Sequence, residues 1–250
     1  MLKQIRTAAL AATLSLAPGA TFGLTSQPAA EPAAVPAAAV AVAPAPAPSF
    51  EQTIGLDAHE HEHGSGLAPG QDGAASRAWL AGSAAHRAEL SAFRDRLAAE
   101  NVEDVVPIWQ LVRTSSSWRQ CGAEPFEVAP ADKWDNIVET LKFVRDQVKP
   151  SVGEVEALSA YRNEGLNACS AGAPKSAHRM FFALDLTPVS AEVSRDEMIR
   201  DVCRAHAQNG RGYEAGLGFY SGRRFHVDSN GFRKWGPDGR GASSPCVSYA

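Results

Sequence analysis

Residues 159–186 read SAYRNEGLNACSAGAPKSAHRMFFALDL, and the last six of them decide how the chain folds here. In FFALDL, Phe182, Leu184 and Leu186 alternate with Ala183 and Asp185. An extended strand sends successive side chains to opposite faces, so the three large apolar residues share one face and Ala183 and Asp185 the other. The first face suits a core. The second carries a carboxylate on a short apolar strand, which is costly to bury without a partner. A cation or a metal ion removes that cost.

A second segment repeats the pattern. In RRFHVDS (223–229), Phe225 and Val227 point one way while His226 and Asp228 point the other. Together with His178, the two segments offer two imidazoles and a carboxylate, a common donor set for a zinc site with one position left open. Taken singly, each His also fits a hydrogen-bonded structural role, and spacing alone does not choose.

Outward from this stretch, strand patterns lie at 155–161, 181–187, 216–220 and 223–229, with a further short strand at 107–114. Helical spacing of Trp79, Leu80, Leu90, Phe93 and Leu97 predicts one helix from an N-cap at Ser76 to Asn101. A second helix is expected from Asp132 to a stop at Pro150, and a third over 195–208. Helices precede a late cluster of strands, which favours α+β over a doubly wound sheet.

The N-terminal third reads differently. Lys3 and Arg6 precede an apolar run and small residues near Ala20 to Gly23, a secretory signal pattern over 1–23. Residues 28–48 hold 11 Ala and 6 Pro, a composition that cannot bury a core. Residues 24–74 are therefore expected to be a linker, including His59, His61 and His63, and 75–250 the folded domain. Beyond the leader, no apolar run reaches the roughly 18 residues of a membrane span. The formal charge of −4 gives no general pull toward nucleic acid. Export to the periplasm or cell envelope favours disulfides among Cys121, Cys169, Cys203 and Cys246. Sequence cannot choose among the three pairings; Cys121 with Cys169 and Cys203 with Cys246 is the working choice.

The string YRNxxLNxxxxGAPxSAHxxxxALD, carried by Tyr161, Arg162, Asn163, Leu166, Asn167, Gly172, Ala173, Pro174, Ser176, His178, Ala183 and Asp185, resembles the signature of zinc D-alanyl-D-alanine peptidases. These cleave peptidoglycan stem peptides and share a fold core with lysostaphin-type peptidases and the hedgehog signalling domain. GLGFYSGRRFHVD (216–228) resembles their glycine-rich strand pair and His-x-Asp element, and the similarity spans roughly 105–236. The resemblance implies a small antiparallel sheet flanked by helices and carrying one Zn2+ on His178, Asp185 and His226. It implies that Arg162 binds a terminal carboxylate or steadies an oxyanion, and that Ser176 binds substrate or supports the metal site. The implied partner is peptidoglycan peptide, cleaved as by a carboxypeptidase or an endopeptidase. A non-catalytic wall-binding module on the same fold is the alternative.

Two positions depart from the family. Phe181 replaces a usual Gly, which predicts a bulkier pocket wall, and Arg223 stands where relatives carry an acid. Asp228 is then the nearest substitute for the base, or only orients His226; Glu214 is more distant. The basic residues Arg223, Arg224, Arg233, Lys234 and Arg240 read as a solvated face.

Overall fold

The computed structural model describes residues 66–249. The leader, the Ala/Pro spacer and His59, His61 and His63 lie outside the described residues.

Helices α1 (Gly73–Ala81) and α2 (Ala84–Ala98) replace the single helix expected from Ser76. Gly82 ends the first, and the Ser83 hydroxyl caps the second by accepting from the His86 N–H at 3.2 Å. A cap followed directly by a new cap breaks the helix while leaving the apolar spacing nearly in phase. Asp72, not Ser76, caps the first helix, and Ser76 is buried within it. Residues 108–112 form a 3-10 turn rather than a strand, with all five side chains buried. Burial on every side, Gln110 included through its bond from the Ala157 N–H at 3.0 Å, removes the alternation that would tell a strand from a turn.

The next helical stretch begins as a 3-10 turn at Ala131 after Pro130, not at a cap by Asp132. It continues through α3 (Val138–Phe143), a π turn (Val144–Val148) and α4 (Lys149–Val152). Pro150 does not stop it. The wider π turn precedes the ring, Pro150 occupies the first turn of α4, and the stop is Gly153 at φ 78°.

Strands β1 (Val155–Ser159), β2 (Ala183–Pro188), β3 (Gly216–Phe219), β4 (Phe225–Asp228) and β5 (Arg233–Trp235) form one sheet in the order β1-β2-β4-β3-β5. The pairs from β1 to β3 are antiparallel, whereas β5 runs parallel to β3, so the sheet is mixed and not antiparallel throughout. The cause is local: the Arg233 guanidinium bonds the Asp228 carboxylate at 2.8 Å and draws the chain back beside Gly216. The fold is α+β. Leu184, Leu186, Leu217, Phe219, Phe225 and Val227 join one core with the helices on one face of the sheet. That core includes α6 (Arg195–Asn209), which Ser194 and Glu197 start with a reciprocal capping box.

Between β1 and β2 lie α5 (Glu164–Cys169) and a one-turn 3-10 helix (Ala177–Met180). Here the quoted string acquires mechanical meaning. Asn163 caps α5, Leu166 is buried, and the Asn167 amide donates to the Ala173 carbonyl at 3.1 Å. Gly172 lies so close to Asn167 that a Cβ would collide with it. The loop is folded back tightly, which returns Ser176 and His178 to the sheet.

The disulfides are Cys121–Cys169 and Cys203–Cys246. Cys203 and Cys246 are buried and fix the last turn of the chain to α6, whereas Cys169 is exposed. Access controls thiol attack. Mild reductant is therefore expected to open Cys121–Cys169 first, as read by alkylation and peptide mass mapping. Equal labelling of all four thiols from the outset would contradict the burial difference.

No helix among the described residues is long and apolar enough to cross a membrane.

Candidate metal centre

Cross-strand register assembles the centre. Asp185 of β2 faces His226 of β4, which faces Gly218 of β3. One register position along, Ala183, Asp228 and Gly216 stand in a row. The polar residues thus lie on the face opposite the core, and the neighbouring positions are small. A Cβ on Gly216 would strike the Asp228–Arg233 pair, and one on Gly218 would strike the Trp235 indole. These glycines leave room for side chains to close over the strands. Trp235 packs beside His226 and Tyr220, with ring centroids 5.4 Å from each.

His178 comes from the 3-10 turn before β2. Its ring Nδ1 meets the Ala160 carbonyl at 2.6 Å, and its own carbonyl accepts from the Arg162 N–H at 3.2 Å. A carbonyl can only accept, so Nδ1 carries the proton and Nε2 presents its lone pair inward. His226 is held in the reverse sense. Its Nε2 meets the Asp228 carboxylate at 2.7 Å and carries the proton, leaving Nδ1 to face inward.

The inward atoms converge. His178 Nε2 and His226 Nδ1 are 3.2 Å apart, and Asp185 Oδ1 lies 3.3 Å from the first and 3.2 Å from the second. All three residues are buried. Three electron-pair donors facing one another with their protons turned outward repel unless a cation joins them. The group His178, Asp185 and His226 can hold a metal ion, and the donor chemistry fits one.

Asp185 is surrounded by positive charge on its other side. Its Oδ2 accepts from Arg162 Nη2 at 2.8 Å and from Arg224 Nη2 at 2.7 Å, while the Tyr220 hydroxyl donates to Oδ1 at 2.9 Å. Burial pushes the Asp185 carboxyl up, but His178, Arg224 and the hydrogen bonds outweigh it and hold it well below the usual range. Burial, reinforced by the Arg162 charge, brings His178 down to about 4. Burial also pulls His226 down, but its hydrogen bonds to Asp185 and Asp228 outweigh this and leave it raised. Burial raises the Tyr220 hydroxyl well above its ordinary value.

The opposite shifts of the two rings set a pH dependence. With its pKa raised, His226 accepts a proton first as the metal-free centre is acidified, and that proton competes with a metal for Nδ1. His178 competes only near about 4. Metal affinity is expected to fall by about one proton's worth per pH unit as pH drops through the raised His226 value, and more steeply near the His178 value. Competition with a chromogenic chelator across this range checks it, and an affinity independent of pH would contradict the assignment of Nδ1 as a donor.

The other expected residues are distributed as follows. Arg162 is buried and spends its Nε on the Ser159 hydroxyl at 3.2 Å and one Nη2 proton on Asp185. Ser176 immediately precedes the 3-10 turn, half-buried, and its hydroxyl bonds to no described residue. Asp228 sits behind His226, bonded also to Arg233 and to the Asn230 N–H. Glu214 is exposed, in a left-handed conformation at the end of the turn after α6. Arg223 turns to the Ser190 and Val193 carbonyls.

Two readings need correction. Phe181 is fully buried against Phe93 and Tyr161, so it fills the core instead of thickening a pocket wall. Arg224 is largely withdrawn from solvent and bonds the buried Asp185, while Arg233 is exposed as a solvated face requires yet also pairs with the buried Asp228. Arg224 and Tyr220 were the functional candidates that patterning overlooked. The signal was available: Arg224 lies two residues before His226 and so shares its strand face.

Comparisons of the chain with protein-family models, with curated proteins and with solved structures find no match.

Proposed function

We propose that the protein is an exported zinc peptidase that hydrolyses amide bonds in peptidoglycan peptides. The observation that supports it most is the convergence of three buried donors. A tetrahedral ion with bonds of about 2.0–2.1 Å to nitrogen and oxygen keeps its ligand atoms about 3.3–3.4 Å apart, close to the 3.2–3.3 Å edges found here. Two imidazoles also disfavour calcium or magnesium, which prefer oxygen. The same donor set serves iron(II) in oxygenases, so elemental analysis that finds iron would overturn the hydrolytic reading.

When bound, zinc would supply an activated water and polarise the scissile carbonyl. The chain's own residues do the rest. Arg162 retains unspent guanidinium protons beside the centre, suited to a peptide carboxylate or a developing oxyanion. The Tyr220 hydroxyl, kept protonated, fixes the orientation of Asp185. Asp228 lies behind His226 and is neutralised by Arg233, a position suited to orienting the ring. The two disulfides and the signal pattern support export.

One observation favours the second reading, a wall-binding module that keeps the fold and the metal. Both carboxylates bonded into the centre, Asp185 and Asp228, are already committed to arginines. Digestion decides between the two. Purified protein incubated with peptidoglycan, with and without chelator, is expected to release stem-peptide fragments detectable by mass spectrometry only in the metal-loaded sample. Retention on the polymer with no released peptide would replace the peptidase by the binding module.

A further inference from the structure

The geometry points to Arg224 as a positioning residue that keeps Asp185 a one-oxygen ligand, so that the fourth position at the metal stays open. This rests on the metal-centre reading above. A carboxylate beside a divalent ion can bind through one oxygen or through both, and a free second oxygen is drawn to the ion. Here Asp185 Oδ2 is occupied twice, by Arg162 at 2.8 Å and by Arg224 at 2.7 Å, while Oδ1 alone joins the imidazole nitrogens. Two guanidinium groups on one oxygen exceed what charge balance requires, since Arg162 alone neutralises the carboxylate.

Arg224 is itself held from the other side. Its Nη1 donates to the Ser116 hydroxyl at 3.2 Å, and its guanidinium lies 5.4 Å from the Tyr220 ring centroid. Its Nε is buried with no hydrogen-bond partner. Leaving a buried N–H unmade is costly, so the bonds of the two Nη groups must offset that cost. The loop bearing Ser116 is tied to α5 through the Ser115–Ser170 hydroxyl pair and the Cys121–Cys169 disulfide. Arg224 is thereby fixed relative to both the ligand strand and the loop that returns His178.

Cobalt(II) titration of the full chain tests this, with the His178→Ala chain as the blank for cobalt bound elsewhere. Four-coordinate cobalt(II) absorbs visible light more strongly than five- or six-coordinate ion. The parent is expected to show the strong spectrum. Arg224→Gln removes one of the two guanidinium groups and leaves Arg162 alone to hold Oδ2 away from the ion, so its spectrum is expected to weaken toward higher coordination, with zinc affinity about 10–100-fold lower. Arg224→Lys keeps one charged donor for Oδ2 and is expected to recover much of the parent spectrum; it also serves if the Gln variant fails to fold. Parent-like spectra and zinc affinity in a folded Arg224→Gln chain would overturn the inference while leaving the metal centre standing. So would a Lys variant no better than Gln. If the Gln variant does not fold, a Lys spectrum weakened toward higher coordination would overturn it. A parent with no specific cobalt spectrum would overturn the metal reading itself.

Discussion

Asp185→Ala is expected to lose bound metal and to lose about 3–5 kcal/mol of stability even in chelator, because it strips the counter-charge from two buried or nearly buried guanidinium groups. His178→Ala is expected to lose the metal as well. Its ring is held neutral by burial, so its removal leaves no buried charge behind and the metal-free stability falls less. Chemical denaturation of both variants in chelator, with metal content measured beside it, separates the two effects. Equal stability losses would mean that the arginines are not balanced by Asp185. Retention of metal by either variant would contradict the donor set.

Phe181 carries the second large effect. It sits at φ 61° with its side chain fully buried between Phe93 and Tyr161. Truncation to Ala is expected to cost about 3–5 kcal/mol from lost packing and the cavity left behind. Truncation to Gly removes the same contacts but relieves the left-handed strain that Ala retains, about 1–2 kcal/mol. Phe181→Gly is therefore expected to be the more stable of the two by about 1 kcal/mol, as read from denaturant midpoints. The reverse order would contradict the backbone account. At this φ a Gly is unstrained, whereas Phe needs the core to compensate.

Strand patterning put Asp185, His226 and Asp228 on open faces because alternation is a short-range property, whereas His178 lies in a 3-10 turn and joined the set only through the resemblance. Phe225 and Val227 inward, with His226 and Asp228 outward, require only that four residues be extended, and they are. The register that sets Asp185 against His226 is a long-range pairing, and no spacing within either segment encodes it. The helix limits failed for a related reason. Gly82–Ser83 reads as a weak interruption of an apolar repeat, and only the cap hydrogen bond shows that it ends one helix and starts another. The pairing of Arg224 and Arg233 with buried carboxylates was hidden by composition, because five basic residues between 223 and 240 carry no sign of which of them has a partner beneath it. Short β5 was hidden by the same charges, since its residues carry no apolar alternation and it is held by the Arg233–Asp228 pair.

Metal content measured on the dialysed full chain and on its His226→Ala variant tests the account most directly. The account predicts about one zinc per chain in the parent beyond whatever remains in the variant. A parent that holds no metal, or a variant that holds as much as the parent, would contradict a zinc centre built on His178, Asp185 and His226.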